Sequence, residues 1–121
     1  MLHLSASSRY YLYHGDTDMR KGFDSLSGMV VSVMQSNVLS GDIFIFLNKR
    51  RNQVKLLHWE GDGFALYYKR LEQGTYELPA AATDQVSMPV SHQQLQFILQ
   101  GISLKSIRRR KRYQHSQQIR G

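Results

Sequence analysis

Cysteine is absent from this 121-residue chain. Disulfides and thiolate metal sites are therefore excluded, and the expected location is the cytoplasm. Long apolar runs are also missing. None approaches the roughly 18 residues that a membrane span requires, so no membrane is expected among the partners. Met1-Leu2-His3-Leu4-Ser5 lacks the charged region and apolar segment of a signal peptide. The five histidines, at 3, 14, 58, 92 and 115, show neither an HxxxH nor an HExxH spacing. No serine or threonine stands in a nucleophile elbow, and Gly61-Asp62-Gly63 lacks the rest of a phosphate-cradling fingerprint. Neither a cofactor nor a resident metal is expected.

Acidic residues are missing from one region in particular. Residues 105–121 contain Lys105, Arg108, Arg109, Arg110, Lys111, Arg112 and Arg120 but no Asp or Glu. These seven cations equal the formal net charge of +7, so the other nine are balanced by nine carboxylates. A neutral body with a basic tail points to a polyanionic partner, nucleic acid before an anionic membrane surface. The division expected is one α+β domain over residues 1–104 and a basic, flexible tail over 105–121. A hydrophobic content of 41% and an aromatic content of 11% supply enough apolar side chains for one core.

Gly41–Leu78 is the organising stretch. Ile43–Leu47 is wholly apolar; Val54–Trp59, Phe64–Tyr68 and Thr75–Leu78 follow after short polar gaps. Such spacing predicts an antiparallel meander of four or five strands. Asn48-Lys49-Arg50-Arg51-Asn52 has an asparagine at each end, where left-handed backbone is tolerated. Both faces of Ile43–Leu47 are apolar, so this strand is predicted to be central and covered on both sides. Phe64, Leu66 and Tyr68 are expected to share a buried face, with Tyr67 and Lys69 opposite.

Before the meander, Arg9–Tyr13 is a strand candidate and His14-Gly15-Asp16-Thr17-Asp18 a turn leading into a helix. Asp16, Thr17 or Asp18 would cap that helix. The helix is expected over Met19–Gln35, with Met19, Phe23, Leu26, Val30 and Val33 on its apolar face and Met34 beside it. Gly22 and Gly28 weaken it, which suggests close packing against the sheet. After it, Pro79–Ser87 reads as a linker and Met88-Pro89-Val90 as a short extended piece. Ser91 and Gln94 form a capping box for a second helix, Ser91–Gln100. Its apolar face is Leu95, Ile98, Leu99 and Ile102, with Gly101 a plausible stop.

Three basic groups are candidate DNA contacts. Lys49, Arg50 and Arg51 form a hairpin tip whose donors suit phosphate oxygens; the alternative is a solvated turn kept soluble by its charge. Arg108, Arg109, Arg110, Lys111 and Arg112 form the densest run, and a solubilising tail is the plainer alternative. Arg20 and Lys21 are placed in the first turn of the predicted helix, where cations oppose the dipole. Either an anion binds there or Asp16, Asp18 and Asp24 pair with them. Of the carboxylates Asp16, Asp18, Asp24, Asp42, Glu60 and Asp62, the first three sit close together and would be the set for a metal-dependent nuclease, but capping and turn roles explain Asp16, Asp18 and Asp62 without chemistry. Tyr10, Tyr11, Tyr13, Trp59, Tyr67, Tyr68 and Tyr76 could stack bases, but core packing is the better default for such a set.

Three segments together carry a family resemblance. They are Thr17-Asp18-Met19-Arg20-Lys21-Gly22-Phe23-Asp24-Ser25-Leu26, then residues 40–79, then Ser91–Ile102. Within the second stand Phe44-Ile45-Phe46, Gln53-Val54-Lys55-Leu56-Leu57, Gly61-Asp62-Gly63-Phe64 and Lys69-Arg70-Leu71-Glu72-Gln73-Gly74. Their order and spacing resemble the TnpB accessory proteins of the insertion sequence 66 family, products of the second open reading frame of these bacterial elements. The resemblance implies transposition, with a separate, larger transposase carrying the strand chemistry. It implies no catalytic residue here. Leu78 departs from the pattern, because relatives often have a second aromatic just before the proline. The basic tail lies beyond the matched region. The expectation is a non-catalytic accessory protein that binds the DNA of the transposon ends, the partner transposase, or both. A small metal-dependent nuclease and a pure protein–protein adaptor are the alternatives.

Overall fold

The computed structural model describes residues 4–79 and 85–100. The tail cations Arg108–Arg112, Ile102, the Gly101 stop and the middle of the expected linker lie outside the described residues. The element order is β1 (Tyr10–Asp16), α1 (Phe23–Ser32), β2 (Ile43–Leu47), β3 (Gln53–Trp59), β4 (Phe64–Arg70), β5 (Ser87–Val90) and α2 (His92–Gln100). The five strands form one sheet in the order β4-β3-β2-β1-β5.

The fold is α+β, as expected, with a mixed sheet. β2, β3 and β4 form the antiparallel meander. β1 runs parallel to β2, with Tyr10, Tyr11 and Leu12 opposite Ile43, Phe44 and Ile45. A parallel neighbour needs a crossover, and α1 supplies it. β5 closes the other side of β1 in antiparallel register, Tyr10 opposite Val90. Pro89 is tolerated there because β5 is an edge strand.

β2 is central and every one of its residues is buried. Its alternation divides the core. Ile43, Ile45 and Leu47 face a cluster with Tyr10, Leu12, Val54, Leu56, Val90, Leu95 and Ile98. Phe44 and Phe46 face a second cluster with Leu26, Val30, Met34 and Leu57. Thus α1 covers one face of the sheet and α2 the other. The α2 capping box is formed at both ends: Gln94 N–H donates to Ser91 Oγ at 3.0 Å, and Ser91 N–H donates to Gln94 Oε1 at 2.9 Å.

Several local expectations are corrected. β1 continues through His14 and Gly15 to Asp16, where a turn was expected. α1 begins at Phe23, with Gly22 as its N-cap, instead of at Met19. Segment 17–21 is bound elsewhere: Thr17 N–H donates to the Leu47 carbonyl at 2.8 Å, and the carbonyls of Met19 and Lys21 accept bonds from Lys55. Phe23 and Val33, expected in the core, are exposed, while Leu26, Val30 and Met34 are buried. Gly28 is exposed, and a Cβ built on Gly22 or Gly28 would meet nothing within 4 Å, so neither glycine serves close packing. Thr75–Leu78 is not a strand; Tyr76 N–H donates to the Arg51 carbonyl at the basic turn. Tyr68 is on the same face as Phe64 and Leu66 but is 51% exposed.

Candidate nucleic-acid interface

The basic turn between β2 and β3 is tied by its two asparagines. Asn48 Oδ1 accepts from the N–H groups of Asn52 and Gln53 at 3.0 and 2.9 Å, and Asn48 Nδ2 donates to Asn52 Oδ1 at 2.7 Å. The left-handed residue is Arg51, at φ 59°, and neither asparagine has positive φ. Side-chain bonds that close the loop therefore fix its shape, while Lys49, Arg50 and Arg51 remain exposed.

A buried lysine builds the other wall. Lys55 on β3 is 6% exposed. Its Nζ donates to the Met19 carbonyl at 2.8 Å and the Lys21 carbonyl at 2.7 Å, and lies 4.6 Å from the centroid of the Tyr68 ring. Burying an ammonium is costly unless its donors are satisfied, and two carbonyls and an aromatic ring do this here. The result is that segment 18–21 is anchored to the sheet beside the basic turn.

Between these walls lies an open groove of about 540 Å³, lined by Thr17, Asp18, Met19, Arg20, Asn48, Lys49, Arg50, Gln53 and Tyr68. Arg20 therefore shares one surface with Lys49 and Arg50. Within the lining, three cations face one carboxylate. That carboxylate, Asp18, is paired with Arg20 at 2.6 Å. The Arg20 side-chain hydrogen bond, with a further bond from the Arg20 backbone N–H, holds the Asp18 carboxyl down at about 2. Arg20 is correspondingly raised by its bond to Asp18. Thr17 is 3% exposed, and its Oγ1 has no hydrogen-bond partner among the described residues. Tyr68 donates its hydroxyl hydrogen to Gln53 Oε1.

The other sequence candidates fall elsewhere. Lys21 does not line the groove; its backbone carbonyl is an anchor for Lys55. Neither Lys21 nor Arg20 is in the first turn of α1, so the expected opposition to the helix dipole does not arise. Arg51 lines a separate cleft of about 290 Å³ with Leu12, His14, Asp16 and Leu47. Asp16 and Asp24 do not join Asp18 at the groove. Among the described residues, no group of three or more His, Asp or Glu could hold a metal ion. Lys55 and Thr17 were missed by sequence reading. The one signal for Lys55 was a cation in an otherwise apolar strand, Val54–Leu57, which is compatible with either a buried or an exposed lysine.

Comparison with known proteins agrees with the fold signature. A family model described as "IS66 Orf2 like protein" matches residues 8–109, so the match runs past Ile102 and takes in Lys105, Arg108 and Arg109 of the tail, which was expected to lie wholly beyond it. The chain is 34% identical over 102 residues to Uncharacterized protein y4hO of Sinorhizobium fredii, covering 84% of this chain and 87% of that protein. It is 28% identical over 93 residues to Uncharacterized protein y4jC of the same organism, covering 77% and 78%. No solved structure matches. No helix among the described residues is long and apolar enough to cross a membrane. With the family model spanning most of the chain, this protein belongs to the IS66 Orf2-like family, a transposition-associated family.

Proposed function

We propose that this protein is a non-catalytic accessory factor of DNA transposition that contacts the DNA backbone of the transposon ends, with the element's transposase as its protein partner. The observation that carries the proposal is the meeting of Arg20 with Lys49 and Arg50 in one groove, although they are far apart in sequence. Arg and Lys side chains around a concave surface suit phosphate oxygens, and these contacts position a protein on DNA without reading sequence. The tail cations Arg108, Arg109, Arg110, Lys111 and Arg112 would add a charge-driven contribution from outside the described residues.

The test is retention of the full chain on DNA as salt is raised. Engaging about five phosphates through the tail gives a slope of log K against log salt of roughly −4.5 on duplex DNA. Removing residues 105–121 lowers that slope, and Lys49→Ala with Arg50→Ala lowers it further. Binding that ignores salt, or no binding at all, ends the proposal. A pull-down of the transposase after nuclease treatment separates direct protein contact from contact bridged by DNA.

A further inference from the structure

Seven aromatic residues were candidates for stacking on bases, and the fold sorts them. Tyr10 and Tyr76 are buried. Tyr11, Tyr13 and Tyr67 are half-buried and pack against the two core clusters. Trp59 is half-buried and packs edge-on against Phe64, with centroids 4.9 Å apart. Tyr68 alone of the seven is exposed, and it lines the groove that holds Arg20, Lys49 and Arg50.

Tyr68 is also held in place. Its hydroxyl is bonded to Gln53, and the Lys55 ammonium lies 4.6 Å from its ring centroid. Lys55 is fixed in turn by two carbonyls. An aromatic ring fixed beside cations, with half its surface open, has the two parts of a single-strand site: a π-face for a base and charges for the adjoining phosphate. In a stacked duplex the base faces are covered, so such a ring has no face to meet.

We infer that the groove takes an unpaired nucleotide, its base stacked on Tyr68 and its phosphate held by Lys49 and Arg50. This rests on the DNA-contact proposal above and narrows it to strands that are open, frayed or flipped.

The experiment compares fluorescence anisotropy of the full chain with three oligonucleotides: a single strand, its duplex, and the same single strand carrying abasic sites. The abasic strand keeps every phosphate and removes the stacking partner. The wild-type protein is expected to bind the intact single strand roughly 5- to 150-fold tighter than the abasic one, the range for one stacked base. Tyr68→Ala abolishes that preference for the intact over the abasic strand. Tyr68→Phe, which keeps the ring and loses only the hydroxyl, retains it and guards against loss through misfolding. Equal wild-type binding to intact and abasic strands overturns the inference while leaving backbone contact standing. So does a preference that survives in Tyr68→Ala. Failure to bind any of the three oligonucleotides overturns both.

Discussion

Lys55 and Lys21 are joined by a hydrogen bond between like residues: the ammonium of one donates to the backbone carbonyl of the other at 2.7 Å. The side chain that makes this bond is buried in the sheet, while segment 18–21 carries Arg20 into the groove. A structural cation thus positions a surface cation. Replacing Lys55 by Met keeps much of the stem's packing but removes the donors to Met19 and Lys21. The expected cost is about 1–3 kcal/mol, the penalty for leaving partly buried acceptors unmet. Urea denaturation should show a lower midpoint with an unchanged slope. An unaltered midpoint would show that the ammonium is dispensable.

Gly28 lies inside α1, is exposed, and would meet nothing within 4 Å if it carried a Cβ. Gly28→Ala should therefore stabilise the protein by about 0.5–1 kcal/mol, since alanine favours the helix and restricts the unfolded chain. Gly61, in the β3–β4 turn at φ 97°, is equally open but conformationally different. Gly61→Ala should destabilise by about 1–3 kcal/mol through backbone strain alone. Thermal melts of the two variants should move in opposite directions. Shifts of the same sign would contradict this division.

The capping box at α2 gives a separate test. Ser91→Ala leaves the Gln94 N–H without its 3.0 Å acceptor and should cost about 0.5–2 kcal/mol. Ser91→Asp, which retains an acceptor, should restore most of the loss. Because Leu95 and Ile98 belong to the core on that face, the cost should appear in global unfolding and not only as fraying. Hydrogen exchange of amides in β1 and β5 can verify it.

Asp18 sets the pH dependence at the groove. Its carboxyl is lowered to about 2 from an ordinary 3.8 by the Arg20 side-chain hydrogen bond and then by the Arg20 N–H. Since the folded value is below the unfolded one, the pair's contribution is complete above about pH 4 and is lost as pH falls through about 2. The pair is open to solvent, so a carboxyl titration followed by NMR reads it more directly than a stability curve. Arg20→Gln should raise the Asp18 midpoint toward the ordinary value. A midpoint that stays near 2 would assign the shift to another group.

Much of the fold was legible locally. The five apolar residues of β2 announced a strand covered on both faces, because its alternating side chains all had to leave water. Ser91 and Gln94 announced the start of α2, because a capping box involves only residues three apart. The candidate interface was legible only in pieces. Lys49 and Arg50 stood out as charge in a turn, but Arg20 was assigned to a helix that begins three residues later. The periodicity of Met19 and Phe23 supported that early start; two bonds from Lys55, more than thirty residues away in sequence, prevent it.

Composition, apolar alternation, turn chemistry and motif order were sufficient by themselves to determine the α+β class, the central strand, the second helix cap and the family. Each depends on neighbours in the chain or on order along it. Tertiary structure alone decided that β1 lies parallel to β2, that α1 and α2 cover opposite faces, that Lys55 is buried, and that Tyr68 stands exposed beside Arg20, Lys49 and Arg50. These depend on which strands pair and in what register. Strand pairing joins residues distant in sequence, so no local period announces which side chains will share a surface.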